Sequence, residues 1–216
     1  MKLLIDAEES WIQPAINSIL EEMMSIYNRE TAVVHTTAQM YLSEKLDYLY
    51  YLSNKAKAEG FIAGIKLVRG AYMEKERQVA EEKGWSDPIC ISKEATDINF
   101  NRAWQFILSN LDHFSMYFGS HNEKSTYDVI AHLADKGIPK DHPHLWFGQL
   151  YGMSDHISFN LANDGFNVAQ YVPFGPVKEV MPYLLRRADE NTSVAGQTGR
   201  ELGLISTEKI RRRAKA

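Results

Sequence analysis

The chain has 216 residues, a length that suits a single domain, and 44% of them are hydrophobic and 24% are charged. This composition, with 11% aromatic residues, excludes an intrinsically disordered chain. A net charge of −4 gives no electrostatic basis for nucleic-acid binding, and a single cysteine, Cys90, excludes an intrachain disulfide framework and is typical of a reducing compartment.

Six short segments predict strands buried on both faces, because their apolar runs are nearly continuous. In chain order these segments are residues 2–6, 31–37, 64–72, 113–122, 144–152 and 167–175. Helices are predicted between them at residues 10–28, 38–60, 93–111 and 123–137. Gly60 and Gly137 stand where helix ends favour a left-handed residue. Residues 73–92 are charged and then rich in turn residues, which predicts a long loop over a binding face.

The alternation of strands and helices predicts βαβ units and a mainly parallel sheet. An open doubly wound sheet and a (β/α)8 barrel both satisfy this pattern. Polar residues gather at the carboxyl end of each predicted strand, where the loops of a barrel build its site, and this favours the barrel. Because six strands are two short of eight, we predict an α/β fold of the TIM-barrel type that is incomplete.

The segment KLVRGAY places Lys66 and Arg69 in an otherwise apolar strand. A buried cation costs several kcal/mol unless it has a partner, so these two residues need an explanation. Gly70 would let a ligand approach the backbone closely. A flat, electron-accepting ligand whose anionic form a cation stabilises, such as a flavin, is one explanation. The alternative is a structural ion pair with Asp6 or Glu74.

The segment YLLRRADEN, residues 183–191, sets two arginines side by side in a predicted helix. Helical spacing places Tyr183, Arg186, Arg187 and Glu190 on one broad stripe. One interpretation is a solvated surface with an Arg186–Glu190 ion pair. The other is an anion site, because guanidinium groups bind carboxylates and phosphates through two parallel hydrogen bonds.

Other motifs add little to the assignment. The sequence has no GxGxxG, GxxxxGK[ST], HExxH, CxxC or GxSxG motif, and we predict no metal site. His35 and His121 lie in predicted strands, where a hydrogen-bonded structural role is the more common one. The C-terminal KIRRRAKA is typical of a solvated helix end, with an anionic partner or membrane surface as the alternative.

Seven blocks occur in the order IDAEES, KLVRGAYMEKER, KEATD, GSHN, GQLYGM, QYVPFGPV and YLLRRADEN. Together they resemble the proline dehydrogenase family, flavoenzymes on a distorted (β/α)8 barrel, from Asp6 to about Asn191. The resemblance implies one domain, residues 1–216, that forms the C-terminal part of the barrel. It also implies a noncovalent FAD, oxidation of L-proline at C5 to Δ1-pyrroline-5-carboxylate, and transfer of electrons to a membrane quinone.

The resemblance assigns roles to residues near the chain's end and at its start. Arg186 and Arg187 resemble the pair that binds the substrate carboxylate, and Glu190 would hold their helix in register. Asp6 resembles a strand-end acid on the polar side of the substrate pocket, and Lys66 the cation beside flavin N5. Three side chains would wall the proline ring: Leu150, Tyr171 and Tyr183. A tyrosine at position 171 implies a preference for proline over hydroxyproline.

Two groups of residues would line the cofactor. Those beside the isoalloxazine are Val68, Gly70, Ala71 and Tyr72, together with Lys66. Those toward the ribityl, phosphate or adenosine parts are Lys93, Thr96, Ser120, His121 and Asn122.

The chain departs from the family pattern in two places. Near Thr36 it has HTTAQMY where the family has a block such as NTYQMY, and it starts at what resembles the third barrel strand. Two βα units, with a strand lysine that joins the arginines, are therefore expected to be missing. The open flank predicts that the chain either forms a homo-oligomer through it or recruits substitutes for the missing strands, because unpaired strand edges favour association.

Alternative functions follow from the same residues. One is a non-catalytic remnant that binds a flavin or an anion, and another is a different barrel enzyme, such as an aldolase or a metal-free hydrolase, that uses Lys66 or Arg69. Residues 1–10 lack the pattern of a secretory signal, and no apolar run is long enough to span a membrane. We predict a cytoplasmic protein in peripheral contact with the inner face of a membrane through its quinone.

Overall fold

The computed structural model describes the backbone of residues 1–193 and 197–213 and the side chains of residues 1–185, 203 and 206–213. Its six strands form one sheet in the order of the chain, and every neighbouring pair is parallel. The strands are β1 (Leu3–Leu4), β2 (Val34–Gln39), β3 (Ala63–Val68), β4 (Phe114–Gly119), β5 (Leu145–Leu150) and β6 (Val168–Tyr171). Parallel neighbours in chain order, with helices between them, form the curled sheet of an incomplete barrel, which confirms the predicted fold class.

Eight helices are present in the described ranges. They are α1 (Gln13–Tyr27), α2 (Lys45–Glu59), α3 (Met73–Lys83), α4 (Lys93–Leu108), α5 (Glu123–Lys136), α6 (Asp155–Asn163), α7 (Val177–Ser193) and α8 (Gln197–Arg213). Gly60 and Gly137 adopt the predicted left-handed conformation at the ends of α2 and α5, with φ of 71° and 66°.

All six predicted strands are present, and each is shorter than its predicted segment. The predicted loop over residues 73–92 is wrong in its first half, because α3 occupies residues 73–83. Of the eleven residues of α3, Glu76 and Ala80 are buried, so the helix has almost no apolar stripe by which its sequence could be recognised.

The core lies between the convex face of the sheet and the helices. Side chains alternate along each strand, and the helix-facing set is apolar and fully buried, as Ile65, Leu67, Phe118 and Phe147 are. Burial of each such side chain contributes about 1.5–3 kcal/mol to folding. The other set of side chains faces the concave side, where the candidate site lies.

Candidate functional site

The strand register brings three elements of the predicted site together on the concave face. Lys66 of β3 lies opposite Thr37 of β2, and Asp6 follows β1 on the far side of β2. The Lys66 ammonium forms an ion pair with the Asp6 carboxylate. Their side chains keep 24% and 65% of their surface exposed, so both charges remain accessible to a ligand. Of the two ion-pair partners that the sequence suggested, Asp6 and Glu74, Lys66 pairs with Asp6.

Arg69 has a different environment from Lys66. Its Nε donates to Asp97 Oδ1 at 2.6 Å, its Nη2 donates to Ser125 Oγ at 2.9 Å, and its guanidinium stacks 4.2 Å from the Phe100 ring centroid. The expectation of an Asp6 or Glu74 partner is wrong for Arg69, because Asp97 on α4 supplies the carboxylate. Arg69 thus ties the end of β3 to α4 and α5.

Asp97 also joins Lys93, a predicted cofactor residue, to this network. The Lys93 ammonium donates to Asp97 Oδ2 at 2.7 Å. Burial disfavours the charged carboxylate, but the bonds from Lys93 and Arg69 outweigh it and hold the pKa of Asp97 below its ordinary value. Nearby Thr96 is buried and donates to the Ser92 carbonyl at 3.3 Å.

The backbone after β3 is fixed by neighbours that the sequence did not suggest. Gly70 has φ of +134°, and a Cβ there would lie 1.4 Å from Cδ1 of Tyr41. On that side the Tyr41 ring leaves no room for a side chain, which accounts for a glycine at position 70. The Ala71 amide donates to Gln39 Oε1 at 3.2 Å, and Gln39 Nε2 donates to the Glu8 carbonyl at 3.0 Å.

Sequence reasoning missed Gln39, which is buried at the carboxyl end of β2. Its amide bridges the loop after Asp6 to the segment that holds Ala71 and Tyr72. A polar residue at that end of a barrel strand is a recognisable signal. The signal was hidden because the predicted strand ended at residue 37.

The centre of the concave face has almost no side chains. Gly119 of β4 lies opposite Gly148 of β5, which lies opposite Ala169 of β6. A Cβ at Gly148 would lie no closer than 3.9 Å to any atom, so a methyl group fits there in ordinary van der Waals contact, whereas a Cβ at Gly119 would lie 2.8 Å from Val68 Cγ1. Beside this row Tyr117 stacks on Trp146, with centroids 5.7 Å apart. A strip of bare backbone flanked by aromatic rings suits a flat ring system, and it is the feature by which the concave face fits a flavin.

The start of α5 contributes the predicted polar residues after β4. Asn122 caps this helix by accepting from the Ser125 amide at 2.9 Å, and Ser120 Oγ accepts from the Asn122 amide at 3.2 Å. His121 Nε2 accepts from the Leu150 amide at 3.5 Å. A helix N-terminus favours negative charge, which agrees with the predicted phosphate side of a cofactor.

The far side of the face presents the predicted substrate walls. Leu150 and Tyr171 lie opposite each other on β5 and β6, and the rings of Tyr171 and Tyr183 are 5.5 Å apart with 58° between their planes. The backbone of α7 includes Arg186, Arg187 and Glu190, but their side chains lie outside the residues that the structure describes.

Neither a metal centre nor a membrane-spanning helix is found among the described residues. Within them no group of three or more histidine, cysteine, aspartate or glutamate side chains is arranged to hold a metal ion. None of the helices over the same residues combines the length and the apolar character needed to cross a bilayer.

A family model for proline dehydrogenase matches residues 1–200. The chain belongs to the proline dehydrogenase family. It is 41% identical over 216 residues to human proline dehydrogenase 1, mitochondrial, a match that covers 98% of this chain and 36% of that protein. Hydroxyproline dehydrogenase of Xenopus laevis is 37% identical over 98% of this chain and 46% of its own length. The chain thus spans about a third to a half of these relatives.

A solved structure shows the same architecture. Proline utilization A from Bdellovibrio bacteriovorus, inactivated by N-propargylglycine, superimposes with a TM-score of 0.82 at 27% identity. The match covers 90% of this chain and 20% of that one. The similarity in fold agrees with the incomplete barrel.

The predicted cytoplasmic location is contradicted by these relatives. The human protein is named mitochondrial, and so are matching relatives from Drosophila melanogaster and Arabidopsis thaliana. The cytoplasmic expectation is therefore not supported by the relatives that the chain matches. One cysteine and the absence of a secretory pattern are equally compatible with a mitochondrial protein, so the inference from composition was too narrow.

Proposed function

We propose that the chain oxidises L-proline to Δ1-pyrroline-5-carboxylate with a noncovalent FAD. The observation that carries this proposal is the Lys66–Asp6 ion pair, which lies on the same concave face as the bare row of Gly119, Gly148 and Ala169. Oxidation of an amine by hydride transfer separates charge, because the donor becomes positive and the acceptor gains negative charge. An ordered cation and anion on one face suit that separation.

FAD, when bound, supplies the acceptor for the hydride equivalent from C5. The residues proposed to line its ring system are Lys66, Val68, Gly70, Ala71 and Tyr72. The residues proposed to reach its ribityl, phosphate or adenosine parts are Lys93, Thr96, Ser120, His121 and Asn122. These assignments are supported by the position of the residues, which lie at the carboxyl ends of β3 and β4 and at the start of α4 and α5.

The substrate is proposed to be held by its carboxylate and its ring. Arg186 and Arg187 bind the carboxylate through paired hydrogen bonds, and Glu190 orients the arginine helix. Leu150, Tyr171 and Tyr183 exclude water from the ring's apolar carbons, and the Tyr171 side chain disfavours a 4-hydroxyl group. This arrangement fixes C5 toward the bare row.

The protein's groups then act on a neutral amine. The C5–H bond breaks with its electron pair, the ring nitrogen lone pair forms the C=N bond, and the nitrogen becomes positively charged before it loses its proton. The Asp6 carboxylate stabilises that positive charge, and the Lys66 ammonium stabilises negative charge on the acceptor. Both effects depend on exclusion of water and on orientation within about 3–3.5 Å of reacting atoms.

The final electron acceptor is proposed to be a quinone, reached by peripheral contact with a membrane. A second copy of the chain is proposed to pair with the open flank, where β1 and β6 are the edge strands of the described sheet. Light scattering tests this pairing, and a well-behaved monomer at micromolar concentration would contradict it.

The activity itself is tested by steady-state turnover. FAD-loaded chain should reduce a soluble quinone when L-proline is added, and o-aminobenzaldehyde should trap Δ1-pyrroline-5-carboxylate in equal amount. D-proline is the matched control, because its carboxylate cannot reach the arginines with C5 in the same place. Flavin-loaded protein that forms no trapped product would contradict the proposal.

A further inference from the structure

Glu76 is a buried carboxylate for which the proposed chemistry has no use. It lies in the first turn of α3, and 1% of its surface is exposed. A buried charge is costly unless hydrogen bonds satisfy it, so the residues that bond the Glu76 carboxylate indicate its role. The residue follows the Gly70–Tyr72 segment directly along the chain.

Both oxygens of this carboxylate bind one residue of a distant loop. Glu76 Oε1 accepts from the Ser10 amide and Oε2 accepts from the Ser10 hydroxyl, each at 2.6 Å. Two charge-assisted bonds of this length to a single residue hold it in one position. Ser10 lies four residues after Asp6, in the loop between β1 and α1.

Other bonds tie the same loop to the same segment. Lys75, adjacent to Glu76, forms an ion pair with Glu9. Gln39 bonds the Glu8 carbonyl and the Ala71 amide, as described above. The loop after Asp6 therefore has three attachments to the segment after β3, and Glu76 supplies the two bonds to Ser10.

We propose that Glu76 is a positioning residue that fixes the Asp6 loop against the Tyr72 segment. This inference rests on the proposed function, in which Asp6 serves the substrate side and Tyr72 the cofactor side. Glu76 touches neither ligand and acts through Ser10. Its removal should let Asp6 move relative to the ring system while the core, which lies on the other face of the sheet, stays intact.

The first test compares Glu76→Ala and Glu76→Gln with Glu81→Gln, an exposed glutamate on the same helix. Loss of the charge-assisted bonds should raise the KM for L-proline about tenfold in Glu76→Ala. Glu76→Gln keeps an acceptor oxygen for Ser10 and should lose less, and Glu81→Gln should match the parent chain. Ser10→Ala should raise KM in the same direction, which keeps the test valid if Glu76→Ala fails to fold.

A double-mutant cycle separates positioning from a general structural role. In an Asp6→Asn background, Glu76→Gln should change KM less than it does in the parent, because its effect passes through Asp6. An equal fold-change in both backgrounds would overturn the proposal.

A readout without turnover separates this inference from the proposed function. Hydrogen exchange of the Ser10 amide should accelerate about tenfold in Glu76→Ala, with or without FAD. A chain that never oxidises proline would contradict the proposed function. The exchange rate of the Ser10 amide would still test whether Glu76 holds the Asp6 loop. Equal exchange of Ser10 in parent and variant would overturn the inference about Glu76.

Discussion

Lys66 and Asp6 form an ion pair across β2, on the concave face of the sheet and at its carboxyl edge. The pair is partly solvated, so it contributes about 0–1 kcal/mol to folding. The pair shares the concave face with the bare row of β4 to β6, and the proposed chemistry is centred on it.

Replacement of Lys66 should therefore separate function from stability. We expect Lys66→Met to leave the free energy of unfolding within about 1 kcal/mol of the parent, and to slow the bleaching of bound flavin by L-proline about a hundredfold. Stopped-flow absorbance and chemical denaturation measure the two effects. Lys83→Met, at the exposed end of α3, is the control and should change neither. Equal bleaching rates in Lys66→Met and Lys83→Met would show that the cation has no part in the reaction.

Two glycines of the concave face should respond oppositely to one added methyl group. A Cβ at Gly64 would lie 2.1 Å from the Val34 carbonyl oxygen and 2.8 Å from the His35 ring, whereas at Gly148 the nearest atom is 3.9 Å away. Gly64→Ala should destabilise the fold by about 1–3 kcal/mol. Gly148→Ala should leave stability unchanged or slightly raised, since glycine weakens a strand.

The same pair tests where a cofactor binds. In the proposed site the methyl group of Gly148→Ala enters the space of the ring system, so the Kd for FAD should rise about tenfold. Fluorescence quenching of FAD on titration with protein measures it. Unchanged FAD affinity in a stable Gly148→Ala chain would place the ring system elsewhere.

Acid should weaken the fold through His35. This residue is fully buried, and burial lowers its pKa to about 4, assisted by the charge of Lys2. The unfolded chain binds a proton near pH 6.5 and the folded chain does not, so the free energy of unfolding falls as pH falls from about 6.5 to 4. The His35 contribution to this fall is about 3 kcal/mol.

The pH dependence of the free energy of unfolding tests the contribution of His35. His35→Leu should flatten the decrease between about pH 6.5 and 4, even if its stability at neutral pH differs. Some slope should remain, because burial also lowers the pKa of His142. Urea denaturation at a series of pH values measures the slope, and the same slope in parent and His35→Leu would contradict the assignment.

Asn28 should be the most costly polar residue to truncate on the amino-terminal side of the sheet. Its fully buried amide donates to the Val34 and Ile62 carbonyls at 2.8 and 2.9 Å, and its oxygen accepts from the Val33 and Val34 amides at 2.9 Å. Asn28→Ala leaves these groups unsatisfied and should lower the free energy of unfolding by about 3 kcal/mol.

An exposed asparagine provides the comparison for Asn28. Asn160 on α6 donates to the His156 carbonyl at 2.7 Å within one helical turn. Asn160→Ala should change stability by about 0.5 kcal/mol or less. Similar losses in both variants, measured by urea denaturation, would mean that the buried bonds of Asn28 are worth no more than a surface bond.

The strand order and the position of Lys66 were accessible from sequence because buried parallel strands have continuous apolar runs. A cation inside such a run is conspicuous. The α3 helix could not be predicted from the sequence, because Ala80 is its single buried apolar residue and the helix has no periodic apolar stripe. Its role at the site follows from one buried acid, Glu76.

The partners of the charged residues were the least predictable feature. Arg69 binds Asp97, 28 positions away, and Glu76 binds Ser10, 66 positions away. Such pairs depend on how helices pack over strand ends, which local propensity does not encode. For Lys66 the sequence left Asp6 and Glu74 open as partners, and the pairing is with Asp6 because a parallel sheet brings the ends of β1 and β3 to the same edge.

The most direct test of the central claim is an anaerobic absorbance spectrum of the FAD-loaded chain before and after L-proline. The visible flavin band of the bound cofactor should bleach with L-proline and remain unchanged with D-proline. Bound flavin whose band persists with L-proline would contradict it, and would leave a chain that holds the cofactor without oxidising proline.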